Sequence, residues 1–188
     1  MSWLISEIPA KLSVEELVVR RYDVNDALSL SNAIALSIDE LSPWMPWATF
    51  EPLSRHQRES LILGWGVEWN EKSNFTMGIF DDETCVGSTG LHLRGGEGEL
   101  EIGYWVSTPH TGRRIASRVV SRLIDVAFSC PEVHTVEIAH DVANEKSQRI
   151  PVALGMSVCR EYQRPRQAPG ENGNTRVWSV VRPAWNRT

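Results

Sequence analysis

The sequence predicts an α/β (α+β-like) fold, with a mixed, mostly antiparallel central sheet of about six to seven strands and helices on both faces. Three observations support this. Segments with the two-residue period of strands alternate with segments of helical period. The 188 residues are enough to bury a real core. No repeat, low-complexity tract or Pro/Gly/Ser linker divides the chain, so residues 1–188 are interpreted as a single domain.

The elements follow in order along the chain. Alternating hydrophobicity predicts strands over residues 16–21, 75–80, 85–91, 99–106, 133–140, 156–163 and 175–182. Asp23 is a predicted N-cap for a helix whose apolar stripe extends to Leu41. Further helices are predicted over residues 55–71, with Leu61, Trp65 and Trp69 at helical spacing, and over 112–128 and 145–154. Gly155 is a plausible residue just beyond the end of the last helix.

Composition excludes several classes of protein. A net charge of -5 argues against nucleic-acid binding, which normally requires a basic surface. The N-terminus lacks the basic start and apolar run of a signal peptide, and no segment resembles a membrane span. Cys85, Cys130 and Cys159 form no C-x-x-C, which predicts reduced, buried thiols and no metal site. We therefore expect a cytoplasmic protein, monomeric or homodimeric, without nucleic-acid or membrane partners.

An arginine-rich segment indicates a ligand. No Asp or Glu lies between Ile102 and Ile124, but the segment contains four arginines: Arg113, Arg114, Arg118 and Arg122. Arginines at a helix start oppose the macrodipole unless a bound anion is shared by the backbone N–H groups and the guanidinium groups. The motif is neither a dinucleotide fingerprint nor a P-loop. The segment predicts a phosphate-bearing ligand; the alternative is that the arginines are only a solvated helix face.

Four stretches, in this order and spacing, resemble the GNAT acyltransferase superfamily and its RimJ/RimL-type branch. The resemblance covers about residues 15–185 and is carried by Ser-Pro-Trp-Met-Pro-Trp at 42–47, Glu-Ile-Gly-Tyr-Trp-Val at 101–106, Thr-Gly-Arg-Arg-Ile-Ala at 111–116, and Asn-Glu-Lys-Ser at 144–147 followed by Ala-Leu-Gly-Met at 153–156. It implies an N-acetyltransferase that uses acetyl-CoA, in which the acceptor amine attacks the thioester directly in a ternary complex. The implied acceptor is a protein N-terminal α-amine.

The resemblance also implies the coenzyme site. The pyrophosphate would be bound by the helix start, whose residues are Gly112, Arg113, Arg114, Ile115, Ala116 and Ser117. The pantetheine arm would lie along Tyr104, Trp105 and Val106 and meet Asn144. The chain departs from the family motif at two positions: Thr111 replaces Gln or Arg, and Arg114 replaces a glycine. Arg114 can still offer its N–H if its φ stays helical.

Catalytic and acceptor residues follow from the same likeness. Glu101 is the candidate base or water-holding residue; the alternative is that it is only a solvent-exposed charge on a strand. Ser147 is expected near the sulfur; the alternative is that it only serves the first turn of its helix. His92, His110 and His140 are weaker candidates for proton transfer. Pro151 cannot donate to the carbonyl of Ser147.

The acceptor is expected to bind beside Trp44, Met45 and Trp47. Asp39, Glu40 and Glu51 lie nearby and would tolerate a cationic acceptor. Two alternatives remain open: an acetyltransferase for small-molecule amines such as antibiotics, amino sugars or polyamines, and an acyl-CoA-binding sensor without turnover.

Overall fold

The computed structural model describes residues 5–185 and contains one eight-stranded sheet of order β1-β2-β3-β4-β5-β6-β8-β7. The strands are β1 Lys11–Val14, β2 Leu17–Arg21, β3 Asn74–Asp81, β4 Thr84–His92, β5 Glu99–Val106, β6 Thr135–Asp141, β7 Ser157–Gln163 and β8 Asn174–Val181. The α-helices are α1 Ala27–Ala35, α2 Ile38–Leu41, α3 Arg55–Asn70, α4 Ile115–Ser129 and α5 Glu145–Ala153. Short 3-10 turns occupy Val24–Asp26, Pro46–Phe50, Thr108–His110 and Arg182–Ala184.

The predicted mixed, mostly antiparallel α/β architecture is confirmed. Every neighbouring pair of strands is antiparallel except β5 and β6, which are parallel. The sheet has one strand more than the upper end of the predicted range, because β1 pairs with β2 across a tight turn in which Glu15 has φ 54°. A four-residue strand with two buried positions, Leu12 and Val14, carries too little periodicity to stand out in the sequence.

Each face of the sheet has its own apolar core. The amphipathic α4 places Val119, Val120, Leu123 and Ile124 in a cluster with even-numbered residues of β5 and β6, such as Leu100 and Ile138. On the opposite face α1 and α3 bury Leu30, Ile34 and Ile62 around Tyr22 and Phe80. Because strand side chains alternate, consecutive residues of β5 point into different cores, so this one strand contributes to two distinct environments.

The predicted first helix is divided in two. Asp23 does act as an N-cap, but of the 3-10 turn Val24–Asp26, and α1 ends at Ala35 before α2 begins at Ile38. At the break, the Ser37 hydroxyl donates to the Ala33 carbonyl at 2.8 Å and accepts from the Thr108 N–H at 2.9 Å. Ser37 therefore ties the helix break to the end of β5.

Two further helix details differ from prediction. In α3 the buried face is formed by Arg58 and Ile62, with Trp65 and Trp69 partly buried, whereas Leu61 is 37% exposed. The α4 helix begins at Ile115, three residues later than predicted, because Gly112 has φ 82° and cannot continue a right-handed helix. The glycine after α5 is confirmed as a left-handed end residue, with φ 70° at Gly155.

Candidate active site

A V-shaped cleft opens between β5 and β6. Their parallel ladder has three registered pairs and ends at Glu101 opposite Glu137. Beyond this point β5 continues to Val106 against β4, and β6 continues to Asp141 against β8. The strands therefore separate, and we call the gap between residues 102–106 and 138–141 the cleft. Backbone groups on the cleft side of β5 have no partner strand beyond Glu101 and are available to a ligand.

The loop between β5 and α4 has a backbone suited to an anion. Its 3-10 turn, Thr108–His110, is followed by Gly112 and Arg114 in the left-handed region, and Arg114 is the N-cap of α4 without a side-chain capping hydrogen bond. The first N–H groups of a helix lack intrahelical partners, so those of Ile115, Ala116 and Ser117 are available. The Ser117 hydroxyl donates to the Arg114 carbonyl at 2.9 Å, which stabilises the turn.

The structure does not meet the condition of a helical φ at Arg114. Its φ is 55°, a conformation that costs a residue with a side chain roughly 1 kcal/mol or more. The chain thus adopts at Arg114 a backbone shape that glycine adopts easily, although it carries an arginine there. The departure from the family motif changes the side chain and leaves a glycine-like conformation in place.

The arginines of α4 are bound to carboxylates of the protein itself. Arg113 donates to Asp81 at 2.8 Å, and Arg118 donates to Glu15 at 2.6 Å and to Glu16 at 2.8 Å. The hydrogen bond from Arg118 lowers the pKa of Glu16 to about 2. Arg122 lies 3.9 Å from Asp125. Among these four arginines, Arg114 has no carboxylate partner within residues 5–185. The predicted anion site therefore depends on the backbone N–H groups and on Arg114.

Three of the predicted cleft residues meet at the start of α5. The Asn144 side-chain oxygen accepts the Ser147 N–H at 3.1 Å and caps the helix. The Tyr104 hydroxyl, from the opposite wall of the cleft, donates to the Ser147 carbonyl at 3.1 Å and lies 3.3 Å from the Ser147 hydroxyl. Burial of the Tyr104 hydroxyl raises its pKa to about 12, so it is protonated at neutral pH.

Glu101 lies where the cleft begins, on the sheet face opposite that of Tyr104. Its carboxylate accepts from Arg94 at 2.9 Å, and its side chain is 19% exposed. His92 is its cross-strand neighbour on β4 and lies 3.0 Å from the Asn74 side-chain oxygen through Nδ1. Desolvation, with a smaller contribution from Arg94, lowers the pKa of His92 to about 4. His92 is therefore a neutral imidazole beside Glu101 at neutral pH.

The other two candidate histidines have different surroundings. Both nitrogens of His140 are engaged: Nδ1 lies 2.8 Å from the Asp141 carbonyl, and Nε2 accepts from the Trp178 indole at 2.9 Å. Burial lowers the pKa of His140. This histidine has no nitrogen left for proton transfer. His110 follows β5 directly, and its Nδ1 is buried with no hydrogen-bond partner among residues 5–185.

Sequence reasoning missed a buried carboxylate at the base of the cleft. Glu137, opposite Glu101, has a side chain that is 4% exposed and is held by Arg160 of β7 through bonds of 2.6 and 2.7 Å. A glutamate inside an apolar strand pattern was the available signal, because buried charges need partners. The prediction that Cys159 is a buried thiol is wrong: it is exposed on β7, whereas Cys85 and Cys130 are buried.

The aromatic loop, residues 42–50, borders the same sheet face as Glu101. Trp44, Met45 and Trp47 are half-buried in it, and the Trp47 ring lies 6.2 Å from that of Trp105 on β5. The loop between β7 and β8 reaches it, because the Gly170 N–H donates to the Pro43 carbonyl at 2.8 Å. The structure therefore brings the predicted acceptor residues next to a residue of the predicted coenzyme strand.

Buried ion pairs hold these acceptor-side loops. Arg58 of α3 donates to both oxygens of Glu51 at 2.6 and 2.7 Å, with side chains only 2% and 8% exposed. Arg164 donates to Glu171 at 2.7 Å beneath the loop between β7 and β8. Glu51 is thus committed to a structural pair, and Glu40 binds Lys146 at 2.5 Å. Of the three acids expected to tolerate a cationic acceptor, two are already engaged.

Residues 5–185 contain neither a candidate membrane span nor a candidate metal site. None of the helices there combines the length and apolar character needed to cross a bilayer. The same part of the chain holds no group of three His, Cys, Asp or Glu side chains arranged to bind a metal ion.

Comparison with known proteins agrees with this geometry. A model of the acetyltransferase (GNAT) domain matches residues 16–157. A Bacillus subtilis protein described as "Putative ribosomal N-acetyltransferase YdaF" is 28% identical over 142 residues, covering 75% of this chain and 78% of the relative. A solved "Probable acetyltransferase" superimposes with a TM-score of 0.85 at 25% identity, covering 93% of this chain and 98% of that one.

A second solved structure, the ribosomal-protein-S5-alanine acetyltransferase of Vibrio fischeri, has a TM-score of 0.79 at 19% identity and covers 95% of this chain and all of the other. At that identity the likeness supports the fold. The family model spans well over half of the 188 residues. The chain belongs to the GNAT acetyltransferase family.

Proposed function

We propose that this GNAT N-acetyltransferase transfers the acetyl group of acetyl-CoA to the α-amine of a protein N-terminus. The observation that carries the proposal is the cleft: β5 leaves β6 at Glu101, directly before the loop that presents the uncapped start of α4. A thioester arm can enter such a gap while its phosphates bind the helix N-terminus. Acetyl-CoA is the co-substrate expected for this family.

The coenzyme is proposed to bind in an extended form along the cleft. The pyrophosphate is placed at the N–H groups of residues 112–117, where Arg114 adds a guanidinium group without a carboxylate partner. The pantetheine arm is placed along the open edge of Tyr104, Trp105 and Val106, with Asn144 on the other wall. This arrangement leaves the thioester near the point where Tyr104 meets Ser147.

The reaction requires one proton to move from nitrogen to sulfur. The amine attacks the thioester carbon, and backbone N–H groups of β5 stabilise the oxyanion. Glu101, directly or through water, accepts the proton that the amine loses. Collapse of the intermediate breaks the C–S bond, and a proton delivered through Ser147 converts the thiolate to a thiol. The two groups work from opposite faces of β5, which separates the base from the acid.

The acceptor assignment rests on the surroundings of the aromatic loop. Rigid walls from Trp47 and Trp105 suit an extended peptide, because aromatic rings supply apolar area at low entropic cost. A polycationic amino sugar or polyamine would need several available carboxylates, but Glu51, Glu101 and Glu137 are each held by an arginine. The relatives named for ribosomal substrates favour the same choice. A cytoplasmic location is part of the proposal and suits the free thiols.

An acetyl-CoA turnover assay by thiol release tests the proposal over N-terminal peptides, polyamines and aminoglycosides. We expect turnover with peptides, and a decrease in kcat on the order of 10²–10⁴-fold for Glu101→Gln and Ser147→Ala with coenzyme affinity nearly intact. Glu97→Gln, in the exposed turn before β5, is the matched control and should retain wild-type kcat.

Three results would contradict parts of the proposed function. Turnover confined to polyamines or aminoglycosides would move the acceptor to small molecules. Binding of acetyl-CoA without turnover of any amine would favour a sensor. Wild-type kcat in both variants at saturating acetyl-CoA would remove Glu101 and Ser147 from the mechanism.

A further inference from the structure

The α5 helix contains a proline one turn after Ser147. Pro151 is buried inside the helix and has no N–H. In an α-helix, the N–H of residue 151 would donate to the carbonyl of residue 147. The Ser147 carbonyl therefore lacks its regular helical donor, and a buried carbonyl without a donor is costly.

A side chain from another element supplies the missing hydrogen bond. The Tyr104 hydroxyl, on β5 across the cleft, donates to the Ser147 carbonyl at 3.1 Å. Because its pKa is raised to about 12, this hydroxyl keeps its proton throughout the neutral range. Asn144 holds the Ser147 N–H at 3.1 Å, so both backbone groups of Ser147 are bound by side chains that face the cleft.

We propose that Tyr104 is a positioning residue: its hydroxyl replaces the helical donor removed by Pro151 and fixes Ser147 at the thioester end of the cleft. The Tyr104 oxygen is also 3.3 Å from the Ser147 hydroxyl, close enough to hold its rotamer. When the thiolate forms, the Ser147 hydroxyl turns toward the sulfur, while the bond from Tyr104 to the carbonyl keeps the backbone in place. The proposal rests on the proposed function in one respect, the position of the sulfur.

The hydrogen bond from Tyr104 has a consequence that a tyrosine held only by packing would not have. Tyr104 and Pro151 should be coupled, because the hydroxyl is needed only while residue 151 cannot donate. Replacing Pro151 with alanine restores a backbone N–H that can bind the Ser147 carbonyl. Loss of the Tyr104 hydroxyl should then matter less.

The test is a double-mutant cycle with Tyr104→Phe, Pro151→Ala and the double variant, read by kcat, by KM for acetyl-CoA and by thermal unfolding without ligand. Tyr104→Phe alone should lower kcat at least tenfold, keep KM for acetyl-CoA within threefold, and lower Tm by about 2–8 °C. In the double variant, most of the kcat and most of the Tm lost in Tyr104→Phe should be recovered. Tyr162→Phe, on the exposed edge strand β7, is the matched control and should leave kcat and Tm unchanged.

Additive effects of the two substitutions on Tm would overturn the hydrogen-bond replacement, whether or not the protein is an enzyme. Coupling in Tm with wild-type kcat in Tyr104→Phe would overturn the positioning role. If no amine is acetylated by the wild type, the proposed function fails. The Tm values of the double-mutant cycle still show whether Tyr104 and Pro151 are coupled.

Discussion

Ion pairs on the two sides of the cleft have similar lengths and very different surroundings. On the coenzyme side, Arg113 binds Asp81 at 2.8 Å with side chains 42% and 34% exposed. On the acceptor side, Arg58 binds Glu51 at 2.6 Å with side chains 2% and 8% exposed. Exposed pairs are typically worth about 0–1 kcal/mol, whereas removing one partner of a buried pair costs about 3–5 kcal/mol.

The difference indicates how each side can respond to a ligand. On the proposed coenzyme side, arginines can exchange a carboxylate for a phosphate at little cost, while Gly112 and Arg114 define the backbone of the loop between β5 and α4. On the acceptor side, the charges are internal supports, and the loops they hold present aromatic surface. We propose that the first region recognises charge through its backbone and that the second recognises shape through packing.

Breaking the buried pair should have the largest effect on stability. Arg58→Met leaves the buried Glu51 carboxylate with the Leu53 N–H as a hydrogen-bond donor but without a cationic partner, and should lower the free energy of unfolding by about 3–5 kcal/mol in urea titrations. Arg55→Met is the control on the same helix: its pair with Glu59 has side chains 82% and 28% exposed, and its loss should cost less than about 1 kcal/mol. Equal small effects would mean that burial gives the Arg58–Glu51 pair no greater weight in stability than an exposed pair on the same helix.

Acid should weaken the acceptor side before the coenzyme side. His92 has a native pKa of about 4 against a reference value of 6.5, so the unfolded chain binds a proton here first as pH falls. The stability that neutral His92 contributes is therefore fully present above pH ~6.5. It is lost as the pH falls toward ~4, by up to about 1.4 kcal/mol per pH unit. The contribution of Glu16, whose native pKa is about 2, is fully present above its reference value of 4.5 and is lost only as the pH falls below that value.

Urea titrations between pH 5 and 6.5 isolate the histidine contribution, to which His140 adds in the same direction because its pKa is also lowered. His92→Gln should flatten the profile of the free energy of unfolding in this window. An unchanged slope would show that His92 is protonated equally in the native and unfolded states.

The smallest expected change concerns the coenzyme loop. Gly112→Val places a β-branched residue at φ 82°, where an added Cβ would meet no atom within 4 Å, so the main expected effect is backbone strain. We expect the affinity for acetyl-CoA, measured by calorimetry, to fall roughly tenfold, as a left-handed penalty of about 1–2 kcal/mol predicts. Gly64→Ala in α3, which is equally uncrowded and has helical backbone, should leave affinity unchanged. Wild-type affinity in Gly112→Val would place the phosphates elsewhere.

Local sequence determined most elements of this protein. The predicted strand 99–106 coincides with β5. The strands predicted over 75–80 and 85–91, the helix predicted over 55–71 and Gly155 as a helix end also agree closely with the structure. The stretches that carry the family resemblance also lie within short windows. Such features depend on periodicity, capping and turn chemistry among near neighbours, which a single sequence displays directly.

Tertiary structure alone decided how the charged and polar side chains are used. Arg118 binds Glu16, which is 102 positions away; Tyr104 binds Ser147, 43 positions away; and Arg160 binds Glu137 through the neighbouring strands β6, β8 and β7. These partners depend on the order of strands in the sheet. The left-handed φ of Arg114 likewise depends on how β5 turns into α4 against the rest of the sheet. Periodicity identifies which face of an element is buried, but the partner of a polar group is chosen by the elements that long-range packing brings beside it.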